Sequence, residues 1–173
     1  MRPLTLAAAT AALGAAATPA LAADLVVSVE IPRLNTATYH RPYVSMWIEQ
    51  PSATSTPGAG VRTLAVWYEV SNVAEGKDWL KDMRDWWRSL GRGMILPADG
   101  VSSATKAQGR HTVTIRAAQL RNLPAGNYVL GVNAARELGG RETVRVPFRW
   151  GAANTARGAG RTELGAVSVT VSR

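Results

Sequence analysis

Between Pro97 and Gly109 the chain reads PADGVSSATKAQG, its densest set of groups that could do chemistry. One carboxylate, Asp99, precedes three hydroxyls, Ser102, Ser103 and Thr105, with Ala104 between the last two and the cations Lys106 and Arg110 close behind. Gly and Pro flank the stretch, which reads as an exposed loop. Its plainest use is a hydrogen-bonded Asx or Ser/Thr turn joining a helix to a strand. Its chemical use is a hydroxyl presented beside positive charge. Elsewhere the sequence is poor in catalytic material. It has no GxSxG elbow, no HExxH and no phosphate-binding glycine loop. The carboxylate pairs Glu137/Glu142 and Asp82/Asp85 read as solvated surface charges. With no cysteine, thiolate metal sites, iron–sulfur clusters, disulfides and thioether-attached haem are excluded. Of the two histidines, His40 has no further ligands in a metal-binding spacing, and His111 opens a strand pattern next to the loop. No catalytic residue and no metal ligand is assigned, and any redox cofactor must be held without sulfur.

The elements that position this loop are mostly strands. Apolar–polar alternation marks 25–31, 43–49, 62–70, 112–116, 128–134, 143–150 and 164–171. Turn signals fall between them at Thr56-Pro57-Gly58, Ala98-Asp99-Gly100, Leu123-Pro124-Ala125-Gly126 and Gly139-Gly140. This pattern predicts an all-β chain, an immunoglobulin- or fibronectin-like β-sandwich of about seven strands. One segment departs from it. Residues 77–90 (KDWLKDMRDWWRSL) gather Trp79, Leu80, Met83, Trp86, Trp87 and Leu90 on one arc at helical spacing, with Gly91 as a C-cap. The expectation is one inserted amphipathic helix packed on a sheet, with Trp87, near the edge of the arc, as the ring best placed to stay exposed.

Residues 1–22 have one early cation, an Ala/Leu-rich run and Ala20-Leu21-Ala22 in small-x-small form, the pattern of a general secretory signal peptide. The run is too short and too alanine-rich for a spanning helix. Residues 23–173 are expected to form a single domain. Its charge is uneven: residues 23–100 carry 8 basic and 9 acidic side chains, and residues 101–173 carry 11 and 3. A basic half of this kind is a solvated face or meets something anionic. Export and the absence of a groove-reading motif argue against nucleic acid.

The segment Asp99-x-Val101-Ser102-Ser103-Ala104-Thr105 resembles the acceptor motif of periplasmic flavin transferases, Asp-x-x-(Ser/Thr)-Gly-Ala-Thr, with Ser103 in place of Gly. That resemblance implies FMN joined through its phosphate to the Thr105 hydroxyl, with Asp99, Ser102, Ser103 and Ala104 as the rest of the motif. Lys106, Arg110 and His111 are then neighbours for the phosphate or flavin, and Trp87 is a ring to stack on it. A second resemblance covers nearly all of residues 23–173. Arg41-Pro42-Tyr43-Val44-x-Met46-Trp47-Ile48-Glu49, Arg62-Thr63-Leu64-Ala65-Val66-Trp67-Tyr68, Trp79-Leu80-Lys81-Asp82-Met83-x-x-Trp86-Trp87-Arg88, Ala135-Arg136-Glu137-x-Gly139-Gly140-Arg141 and Pro147-Phe148-x-Trp150 are similar to a periplasmic family known as domain of unknown function 2271. It implies a periplasmic electron-transfer protein rather than an enzyme, itself the substrate of a flavin transferase. Such a protein would shuttle electrons between a PepSY-type membrane donor and a periplasmic acceptor, without spanning the membrane. The alternative is a cofactor-free immunoglobulin-like module that binds or scaffolds partners.

Overall fold

The computed structural model describes residues 23–51 and 60–172. The expected signal peptide (1–22) and the turn at Thr56-Pro57-Gly58 lie outside them. The strands are β1 (Leu25–Ile31), β2 (Tyr43–Glu49), β3 (Arg62–Tyr68), β4 (Ser102–Ala104), β5 (Gly109–Ile115), β6 (Gly126–Ala135), β7 (Arg141–Trp150), β8 (Asn154–Ala159) and β9 (Ala166–Val171). They form a four-stranded sheet in the order β5-β1-β9-β8 and a five-stranded sheet in the order β4-β3-β2-β6-β7. Every pairing is antiparallel except β3 with β4. The fold is an all-β sandwich. No helix among the described residues is long and apolar enough to cross a membrane.

Alternation decides which side of each strand is buried. β1 (LVVSVEI) buries every second residue, so Leu25, Val27, Val29 and Ile31 enter the core between the sheets. β7 and β9 follow the same rule. β2 and β3 do not. Most of their residues are buried on both faces, because a second apolar cluster covers the outside of the five-stranded sheet. That cluster sets Trp47, Val66 and Tyr68 against Leu80, Met83, Trp86 and Leu96. The two strands absent from the expected set are β4, only three residues long, and β8, an edge strand whose small, polar sequence NTARGA has one β-branched residue, Thr155, and no aromatic.

The expected continuous helix over 77–90 is corrected. The segment is broken into α1 (Val73–Asp78), a 3-10 turn at Leu80–Asp82, α2 (Arg84–Ser89) and a second 3-10 turn at Gly91–Gly93. The Asn72 side chain caps α1 by accepting from the Glu75 backbone. Met83, at φ −80° and ψ 68°, separates the two α-helices. The physical reason lies in which residues must be buried. Leu80 in the 3-10 turn, Met83 at the break and Trp86 in α2 are all buried against the sheet. Each such side chain contributes about 1.5–3 kcal/mol when removed from water, more than a regular helix gains over a kinked one in so short a piece. The Trp86 indole N–H donates to Thr63 Oγ1 at 2.9 Å, so its burial leaves no polar group unsatisfied.

Gly91 is not a left-handed C-cap. It is buried, and an added Cβ would stand 2.7 Å from Trp87 Cε3 and 2.8 Å from Trp86 Cζ3. Gly91→Ala is therefore expected to destabilise the protein by about 1–3 kcal/mol through overpacking, measurable as a shifted urea midpoint with unchanged slope.

The carboxylates read as solvated surface charges mostly hold elements together. Asp82 pairs with Arg141 at 2.7 Å and Asp85 accepts from Thr143 Oγ1 at 2.7 Å, fastening the helical segment to β7. Glu142 accepts from the backbone N–H groups of Arg161, Thr162, Glu163 and Leu164 at 2.6–3.0 Å. Burial pushes its pKa up, but these hydrogen bonds to the charged form outweigh burial and hold it below the usual carboxylate value. A depressed folded-state pKa means stability that is present above the unfolded value and lost as pH falls through the folded one. Wild type is thus expected to lose stability on acidification below the usual carboxylate range. Glu142→Ala should remove about 1–3 kcal/mol at neutral pH and flatten that acid limb, as read by denaturant titration at a series of pH values.

Candidate functional site

The motif loop enters from a tight turn. Val101 N–H and Ser102 N–H both donate to the Ala98 carbonyl, at 3.1 and 2.9 Å, and Gly100 takes φ +70°. Ser102 Oγ accepts from the Ala98 N–H at 3.0 Å, so this hydroxyl closes the turn. Asp99 is exposed at its tip. Ser102–Ala104 then form β4, the outermost strand of the five-stranded sheet, in parallel register with Val66–Tyr68. Ser103 stands opposite Trp67 in extended backbone, so nothing at this position requires the positive φ that glycine supplies. Past exposed Ala104, Thr105 lies at the C-terminal ends of β3 and β4, partly buried.

The structure divides the sequence-predicted residues between two clefts. Thr105 lines one of about 520 Å³ together with His40, Arg41, Tyr43, Glu69, Trp79 and Glu137, among others. Ser102, Ser103, Lys106 and His111 line another, of about 480 Å³, around Trp67. Lys106 Nζ sits 5.8 Å from the Trp67 ring centroid, and His111 packs edge-on against the same indole at 5.7 Å. His111 Nε2 donates to the Ala107 carbonyl at 2.7 Å, pinning the far end of the loop to β5. Arg110 reaches across to Glu30 at 3.4 Å on β1. The expected gathering of Lys106, Arg110 and His111 around Thr105 is corrected. Side chains alternate across an extended chain, so Thr105 and Lys106 point to opposite sides.

The basic C-terminal half does not converge on Thr105 either. Arg141 and Arg145 pair with Asp82 and Glu49 on the helical side of the sheet, and Arg136 is buried against Glu163. The groups that do face Thr105 come from distant segments. His40 and Arg41 precede β2, Glu69 follows β3, Trp79 follows α1, and Glu137 belongs to the β6–β7 turn. His40 Nδ1 lies 3.2 Å from Glu137. Two hydrogen bonds from Ser71, side chain and backbone, lower the Glu69 pKa, so this carboxylate is ionised at neutral pH. Burial raises the Tyr43 pKa, so its phenol is neutral there. The cleft therefore offers neutral and charged donors, carboxylates and an indole face, with the secondary hydroxyl of Thr105 in its lining.

Trp87 is likewise corrected as the exposed ring. It is half-buried, packed against Trp86 at 6.2 Å between centroids, while Trp79 is 54% exposed. The 3-10 turn beginning at Leu80 swings Trp79 out of the arc that a regular helix would have buried. No group of metal-ligating side chains occurs among the described residues.

The chain matches, over residues 24–166, the model of a family described as "Predicted periplasmic protein (DUF2271)". Comparison with curated proteins and with solved structures gave no match.

Proposed function

We propose that this chain, which belongs to the DUF2271 family of periplasmic proteins, carries FMN on Thr105 and serves as an electron-transfer protein. The observation that carries this reading is the placement of Thr105, the last residue of the acceptor-like motif. It stands on the loop leaving an edge strand, beside a small exposed Ala104 and at the mouth of a cleft with an open indole face. The residues fit the group. An acceptor hydroxyl must enter another enzyme's active site, and an edge loop with small neighbours allows that approach. Arg41, in the same cleft, supplies a cation for the singly charged phosphodiester.

Loading needs FAD and a flavin transferase. Thr105 Oγ gives up its proton and bonds to the flavin-side phosphorus of FAD. The bond from that phosphorus to the bridging oxygen breaks, and AMP leaves with the oxygen. Once bound, the flavin supplies one- and two-electron chemistry, and the protein supplies tether, orientation and electrostatics. A tether has a reason outside the cytoplasm, where a dissociated cofactor is not resupplied. Residues 1–22 are the export signal in this reading, and a PepSY-type membrane protein is the electron donor.

The test is to express the exported chain with and without an active flavin transferase and run a denaturing gel. Flavin fluorescence in the protein band, dependent on the transferase, is expected. A dark band with the transferase active would overturn the carrier reading. It would favour a cofactor-free binding module, whose contact surface would be the exposed Trp79 and Leu138.

A further inference from the structure

Thr105's cleft does not end at Trp79. A second depression of about 420 Å³ shares Arg41, Tyr43, Glu75, Trp79 and Glu137 with it and continues to Leu138 and Arg141. The two make one groove, with Thr105 near one end, Trp79 in the middle and Leu138 at the other. Together they have the capacity of a site for a ring-sized ligand. Two features of this groove are unusual for a stable surface. Trp79 is 54% exposed, whereas Trp47, Trp67, Trp86 and Trp150 are all at most 8% exposed. Leu138 is 82% exposed and held at φ +53°, a conformation that non-glycine residues seldom adopt. Both turn apolar surface into the groove.

The charges in the groove are also uneven in their engagement. His40, Arg136 and Arg141 are each paired, with Glu137, Glu163 and Asp82. Arg41 lines both halves and has no carboxylate within 4.0 Å among the described residues. The other cleft offers no rival platform, since Trp67 is only 2% exposed and Lys106 covers its ring.

We infer that the exposed indole of Trp79 is the platform on which the isoalloxazine of a Thr105-linked flavin stacks, with Arg41 free to pair with the phosphodiester. This rests on the reading of Thr105 as the attachment point. An aromatic face open to water beside the tether favours an offset-stacked planar ring, and Leu138 closes the far end with apolar contact. Trp79, not Trp87, is thus the residue of the tryptophan-rich segment that meets the cofactor.

The test uses the transferase-loaded full chain and compares native with denatured flavin fluorescence. Stacking on an indole quenches flavin emission, so wild type is expected to be dim when native and bright when denatured. Trp79→Ala should raise the native signal several-fold and weaken the flavin's visible-region circular dichroism, with the denatured signal unchanged. Trp79→Phe should restore the dichroism in part, and Trp87→Phe should resemble wild type in both. A labelled Trp79→Ala protein as dim and as dichroic as wild type would overturn the platform while leaving the attachment intact. A wild-type band that stays dark after denaturation would overturn the attachment and the platform together.

Discussion

Replacing Thr105 by Ala is expected to abolish covalent flavin altogether, whereas Thr105→Ser retains a measurable fraction. Alanine removes the only atom that can form the phosphodiester, and no neighbouring hydroxyl is placed to substitute. Ser102 Oγ is engaged with the Ala98 N–H, and Ser103 faces the Trp67 cleft. The Thr105 side chain is outside both apolar clusters, so its removal should leave stability within about 0.5 kcal/mol of wild type. That separates a lost acceptor from a lost fold. Intact mass of the periplasmic protein is the decisive reading. Wild type gains the mass of one FMN residue, and Thr105→Ala runs at the polypeptide mass with an unchanged melting curve. A labelled Thr105→Ala protein would show that a different side chain is the acceptor. Ser102→Ala is informative beside it, since losing the hydroxyl that closes the turn should loosen presentation and slow labelling without preventing it.

The contrast between Thr105 and its neighbours shows what a linear reading of this chain contains. The acceptor-like loop, the turn at Asp99-Gly100 and most strand positions are local properties, written in residue type and in period two. The composition of the cleft is not local. Arg41, Trp79 and Glu137 reach Thr105 only because β3, β4 and β6 run one way and β2 between them runs the other, which brings the C-terminal ends of three strands and the N-terminal end of β2 to one edge. Helical periodicity was a true signal for burying Leu80, Met83 and Trp86 but a false one for Trp79. The sheet beneath accepts these three side chains, and the chain breaks at Met83 while supplying them. The double burial of β2 and β3 was hidden for a related reason. Alternation locates these strands but does not show what covers their outer face, and that cover is the segment that breaks at Met83. Net charge by halves is equally uninformative, because Arg141, Arg145 and Arg149 share the outward face of β7, away from Thr105, and two of them are used in pairing.

Glu163→Ala is expected to cost the most stability of any single polar substitution considered, about 3–5 kcal/mol, because it strands a buried guanidinium. Glu163 and Arg136 meet in a bidentate pair at 2.8 and 3.1 Å, with side chains only 4% and 9% exposed. Arg136 Nη1 has no hydrogen-bond partner, and Glu163 is the carboxylate paired with this guanidinium among the described residues. Glu163 also accepts from the Gly140 N–H at 2.7 Å, and the Arg136 guanidinium lies flat over Gly139. One carboxylate thus joins the β6–β7 turn to the segment before β9. For a chain of this size the loss corresponds to a fall in Tm on the order of ten degrees. The consequence reaches the groove, since Glu137 and Leu138 lie in the turn that this pair holds. A double variant, Arg136→Met with Glu163→Leu, separates the cost of a stranded charge from the worth of the pair. Replacing both charges with packed apolar side chains should recover most of the stability. The recovered protein should still label at Thr105, but with less quenching of the native flavin, because the turn is no longer fixed by a bidentate contact. A Glu163→Ala protein melting within about 1 kcal/mol of wild type would show that water reaches the guanidinium, and the pair would then lose its place as the anchor of the groove wall.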